Sequence, residues 1–229
     1  MGCVALLIVW TPLPSEAQKV TAHFELFHDV GLQEADAVAS ILESTYENVI
    51  RFLKELNLPL RPSPRLSVRL IGQLEAFQDE VKSAGHSPEG IVGLYVAERN
   101  VTLLLRPESI PAIAALDREL ARASGPALAA FQSQRDALVE RVRRLTIAHE
   151  TAHQVLFNLG PLDRAAQQPA WLLEGLACLF EPTSPQTDFR RADFPKELGV
   201  SALRAVVSSE TFAGPDAAER YAIAYSLVD

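Results

Sequence analysis

Several things are scarce in this chain, and each scarcity closes a class of explanation. There are two cysteines in 229 residues, Cys3 and Cys178, and no Cys-x-x-Cys pair. That excludes a disulfide framework and a thiolate zinc site. There is no basic excess: the formal net charge is -8. A chain of that charge makes a poor partner for nucleic acid, whose phosphates demand a basic face. Arg141, Arg143 and Arg144 sit in this acidic background and read as a solvated helix face. No apolar run reaches the length of a membrane helix, so no transmembrane span is expected in the mature chain. Histidine is scarce too, with five in all and none after His153.

The longest apolar run is short. Residues 3–10, Cys-Val-Ala-Leu-Leu-Ile-Val-Trp, are followed by Pro12, Pro14, Ser15 and Ala17. This pattern is that of a secretory signal cleaved near Ala17, which gives a leader over 1–17 and an extracytoplasmic protein, secreted or periplasmic. The remaining residues, 18–229, read as one domain with an α/β lobe over 18–106 and a helical lobe over 107–229. The last helix runs to the chain end without a cap, so the helical lobe reads as one cut short.

What is present is periodic. Lys19 to Asp29 alternates apolar and polar residues, as a half-buried strand does. Residues 33–56 carry Ala37, Ile41, Tyr46, Val49, Phe52 and Leu53 at helical spacing. Leu66 to Ile71 reads as a second strand, and Leu74 to Ala84 as a short helix closed by Gly85. Ile91 to Ala97 and Val101 to Leu105 form a hairpin turning at Glu98-Arg99-Asn100. Helix dominates afterwards: over 107–146 with a break at Ser124-Gly125-Pro126, then to Gly160-Pro161, then Ala170 to Phe180. Two more follow, near 200–209 and 216–228. Strands first and helices later make an α+β arrangement, with a small mixed sheet in the first lobe.

The chemistry concentrates in His149-Glu150-Thr151-Ala152-His153. Residues four apart on a helix share a face, so His149 and His153 can offer two imidazoles to one metal ion. Glu150 lies about 100° round the helix, beside the open position of that metal, where it can take a proton from a bound water. The flanks are apolar (Leu145, Ile147, Ala148, Val155, Leu156), and burying such a polar set is costly without a partner. Zn2+ is the partner that suits two histidines, and it needs a third protein ligand. Glu174, Glu181 and Asp163 are the carboxylates to weigh. Glu174 is favoured, because it stands in the otherwise apolar Trp171-Leu172-Leu173-Glu174-Gly175-Leu176-Ala177. Small Gly175 and Ala177 would let that helix approach the histidine helix closely, while Glu181, beside Pro182, reads as exposed.

These two motifs in this order resemble the gluzincin branch of the zincin metallopeptidases, in particular the peptidase-MA-like domains, over about residues 145–181. The resemblance implies a zincin-like fold and a zinc-dependent peptidase acting on a peptide or protein substrate. His149, His153 and Glu174 would be the ligands and Glu150 the base. It implies that Val101 to Leu105 is the sheet edge along the cleft, and that Tyr221 or Tyr225 stabilises the oxyanion. The chain departs from the family at Cys178, where an acidic residue is usual. A zinc-binding module of the same fold without catalysis is the alternative reading.

Overall fold

The computed structural model describes residues 16–122, 124–160, 162–166, 168–182, 200–208 and 217–228. Residues 1–15, which hold the apolar N-terminal run, lie outside this set. Among the described residues, no helix is long and apolar enough to cross a membrane.

The α+β order expected from the sequence is the order observed. Five strands form one mixed sheet: β1 (Ala17–Val20), β2 (Phe24–His28), β3 (Leu66–Ile71), β4 (Gly93–Val96) and β5 (Val101–Leu105). Their order across the sheet is β1-β2-β3-β5-β4. The β2-β3 and β3-β5 pairs are parallel, and both outer pairs are antiparallel.

The alternation over Lys19 to Asp29 is two strands, not one. Val20 stands opposite Glu25 across a turn in which the Thr21 N–H donates to the Phe24 carbonyl at 2.9 Å. The turn holds Thr, Ala and His, without the Gly, Asn or Pro that would announce it. Phe24 and Leu26 are fully buried whereas Val20 is 52% exposed, so the apolar period carried across the turn without one common face.

Helix α1 (Leu32–Glu55) buries Ala35, Val38, Ala39, Leu42, Val49 and Leu53, spaced by three, four or seven residues. It ends where Asn57 takes a φ of 54°. This stripe packs on Phe24, Leu26, Leu66, Val68 and Leu70 from one face of the sheet. Each such aliphatic or aromatic side chain contributes roughly 1.5–3 kcal/mol on burial. The opposite face takes Phe77 and Val81 of α2 (Leu74–Ser83) against Ile71, Leu103 and Leu105. Arg69 also points to that face. Its Nη2 donates to Glu16 Oε1 at 2.6 Å and it pairs with Glu80 of α2. Arg69 is 3% exposed and the Glu16 side chain 6%. A cut after Ala17 would remove both Glu16 and the first residue of β1.

The helical lobe begins with α3 (Pro111–Leu120). The Ser124-Gly125-Pro126 punctuation is a start: Gly125 has φ 78° and Pro126 opens α4 (Pro126–Leu159). No second break separates the arginine-rich stretch from the histidines. They share one 34-residue helix, roughly 50 Å long. Its N-terminal half is tied to α3 by Arg135, whose Nε donates to Asp117 Oδ1 at 2.7 Å. Its C-terminal half enters the core through Ile147, Ala152, Val155 and Leu156, on the sheet face that also carries α1. Among the described residues, helices α5 (Ala170–Cys178), α6 (Val200–Val207) and α7 (Ala217–Val228) follow.

Candidate metal centre

The C-terminal half of α4 is fastened to the sheet by amides. Gln154, wholly buried, donates to the Ser67 carbonyl at 2.9 Å and accepts from Thr102 Oγ1 at 3.1 Å. Asn158 and Asn100 exchange reciprocal bonds of 2.8 and 3.0 Å. These contacts fix the rotation of α4, and so the direction in which the neighbouring His149 and His153 point.

Both histidines point at Glu174, midway along α5. His149 Nε2 stands 3.0 Å from Glu174 Oε2, His153 Nε2 3.7 Å from Glu174 Oε1, and the two Nε2 atoms 3.2 Å apart. The side chains of His149 and His153 are only 11% and 10% exposed. Donor atoms at 2.0–2.1 Å from a tetrahedral zinc stand roughly 3.3–3.4 Å from one another. The three separations bracket that value.

The far side of the His149 ring sharpens the point. Its Nδ1 donates to Glu181 Oε1 at 2.9 Å. Glu181 stands on Nδ1 as Glu174 stands on Nε2, and a ring that keeps its one proton on Nδ1 offers Nε2 as a lone pair. That lone pair faces a carboxylate oxygen and a second imidazole nitrogen. Acceptors converging in a buried place need a cation, and a histidine held by a carboxylate on its far nitrogen is the usual arrangement of a metal ligand. His149, His153 and Glu174 therefore make a group with the donor types, spacing and orientation to hold a divalent metal such as zinc.

A proton on His149 competes with a metal for this place. Burial works against a charged Glu174, but His153 and His149 outweigh it and hold its carboxyl below the ordinary range. Burial would lower the His149 pKa. Hydrogen bonds with Cys178, Glu174 and Glu181 overcome that and raise it well above the usual value.

Glu181 corrects the sequence reading. It is 6% exposed, not at the surface, and pairs with the His149 ring. The signal was available: Glu174, Cys178 and Glu181 follow at i, i+4 and i+7, one helical face. The chain winds on past Cys178, since the Glu181 N–H reaches the Cys178 carbonyl at 3.2 Å. Cys178 is fully buried against His149, and with Glu181 it makes a second potential metal-holding group on that histidine. Asp163 is exposed and accepts the Ala165 N–H of its own loop at 2.9 Å.

Gly175 is a second correction. A Cβ there would meet the Ala224 carbonyl at 2.5 Å, so the missing side chain lets α5 approach α7, not α4. That packing carries Tyr221 to the cluster, where its ring stands edge-on to His149 with centroids 5.8 Å apart. Burial, with the Glu174 carboxylate second, pushes the Tyr221 hydroxyl pKa upward, so it stays a proton donor. Tyr225, one turn further along α7, is buried.

Glu150 points away from the ligands toward the sheet. Its Oε2 accepts the Tyr95 N–H of β4 at 2.8 Å. The strand along this side is therefore β4, the sheet edge, and not Val101–Leu105. β5 lies inside, paired with β3 and β4 on its two sides. Leu103, Leu104 and Leu105 are all buried, as a strand covered on both faces requires.

This constellation has the form of a zincin-type metal site in a helical lobe. The sequence family described as "Protein of unknown function (DUF1570)" matches residues 144–193, a stretch that holds the two histidines, Glu150, Glu174 and Glu181. No curated protein and no solved structure matches the chain.

Proposed function

We propose that the protein is a zinc-dependent peptidase of gluzincin type, with His149, His153 and Glu174 as ligands and Glu150 as the general base. The observation that carries the reading is the convergence of two imidazole nitrogens and the Glu174 carboxylate at contacts of 3.0–3.7 Å, with Glu150 outside the set. A purely structural zinc site has no use for a further carboxylate next to a ligand histidine in the sequence.

Zinc bound there would polarise a scissile carbonyl and acidify a water. With zinc held there, Glu150 would serve as the base, accepting a proton at the carboxylate oxygen not bonded to Tyr95 and returning it to the leaving amine. Tyr221, kept protonated beside His149, would be the hydrogen-bond donor to a developing oxyanion. The outward main chain of Gly93 on β4 pairs with an extended peptide or protein substrate. Tyr225 is a weaker candidate for the same donor role. An extracytoplasmic site of action, from the apolar N-terminal run, belongs to the same proposal.

The test is zinc content in protein purified without chelator, together with hydrolysis of a mixture of quenched-fluorescent peptides. Stoichiometric zinc, chelator-sensitive hydrolysis and a Glu150→Gln variant that keeps zinc but loses turnover are expected. Protein without zinc, or an equally active variant, sinks the reading. Zinc without any hydrolysis would support a binding module instead.

A further inference from the structure

Strand β4 and helix α4 come closer than side chains permit. A Cβ on Gly93 would fall 2.4 Å from Thr146 Cγ2 and 2.9 Å from Glu150 Cγ. Real Cβ atoms do not approach so near. Gly93 has no positive φ, so its backbone does not call for glycine. The close approach does.

The phase of the hairpin shows what the approach achieves. The Leu105 N–H donates to the Val92 carbonyl at 2.9 Å, and the register pairs Leu94 with Leu103 and Val96 with Val101. In an antiparallel ladder the hydrogen-bonded pairs alternate with pairs turned outward. Residues 92, 94 and 96 thus direct their main chain to β5, while Gly93 and Tyr95 direct theirs to the free edge. The outward donor of Tyr95 meets Glu150 Oε2 at 2.8 Å. One carboxylate oxygen is therefore held by a main-chain N–H in the sheet.

We infer that the outward N–H of Tyr95 is the positioning partner of Glu150, and that Gly93 is the residue whose bareness lets β4 reach it. The contact stands on geometry alone. Its description as positioning rests on the proposal that Glu150 is the base.

Amide hydrogen exchange at Tyr95 tests the contact without any activity. An amide on a free sheet edge exchanges quickly unless something holds it. In the wild type Tyr95 should be protected. In Glu150→Ala it should exchange at least ~10-fold faster, while Leu94 and Val96, bonded to β5, do not change. Glu150→Gln, which keeps an acceptor oxygen, should retain protection. Equal Tyr95 rates in the wild type and Glu150→Ala overturn the inference whatever the activity. Gly93→Ala then tests the function of the contact. Zinc content should hold, kcat on the peptide mixture should fall about 100-fold, and KM should move less than about threefold. Adding Thr146→Ser, which removes the nearer clashing methyl, should restore part of kcat. A Gly93→Ala protein that loses Tyr95 protection but keeps kcat overturns the positioning role. If Gly93→Ala does not fold, the Glu150→Ala exchange result decides. If Tyr95 responds as expected but the wild type hydrolyses nothing, the contact stands, and the peptidase reading and the positioning role fall with each other.

Discussion

The two lobes bury charge in opposite ways. Under the sheet, Arg69 lies between Glu16 and Glu80, and its guanidinium donors meet carboxylate acceptors. Donor and acceptor charges meet there directly. In the helical lobe, two imidazole nitrogens and the Glu174 carboxylate converge, with Glu181 on the far nitrogen of His149. The first cluster is a finished piece of structure. The second has the donor set of a metal site, and an ion bound there would add its binding free energy to the stability of the fold.

The sharpest way to break this contrast is to remove the metal. With zinc at a thousandfold over its Kd, chelation should cost about 4 kcal/mol. Exchange should rise in α4 and α5 while β2, β3 and α1 stay protected. Uniform loss across both lobes would erase the distinction. Next comes Glu174→Ala, which takes one of three ligands. Zinc affinity should fall about a thousandfold in a competition titration with a fluorescent chelator, roughly 4 kcal/mol. Retained affinity would move the third ligand elsewhere.

The self-contained cluster has its own test. A chain starting at Gln18 should be about 2–4 kcal/mol less stable to urea than one starting at Glu16, since it leaves Arg69 short of a partner. Its zinc content should not change. The smallest effect concerns the support of the ligand. Glu181→Ala should weaken zinc binding 10- to 100-fold, about 1.4–2.7 kcal/mol, without removing it. An unchanged affinity would make Glu181 a bystander.

Much of this was legible in the sequence, for reasons that differ by element. The helix α1 and the β4-β5 hairpin come from periodicity and from turn residues that act locally. His149, His153 and Glu174 were legible because helical spacing and an apolar setting make an unpartnered polar group conspicuous. The β1-β2 turn was hidden, because alternation continued through it. The apolar run of β5 was informative but was read as an edge, although burial on both faces marks an interior strand. Glu181 was missed because Pro182 suggested a surface position, and the seven-residue step back to Glu174 outweighed that cue. Gly175 was credited to the wrong neighbour: a small residue predicts a close approach, while only the fold says to what. Tyr221 came with α7 for the same reason, through packing between segments some 45 residues apart in the chain.

The bond between Glu150 and Tyr95 bears on solubility as well. A sheet edge with unpaired main-chain groups invites another chain to pair with it. Here both edge strands, β1 and β4, are four residues long. Lys19 on β1 forms an ion pair with Asp36 at 2.6 Å. On β4, Glu150 occupies one of the two outward-facing donors. The same carboxylate thus guards the molecule against self-association, and an edge left open by Glu150→Ala would make the protein more prone to aggregate.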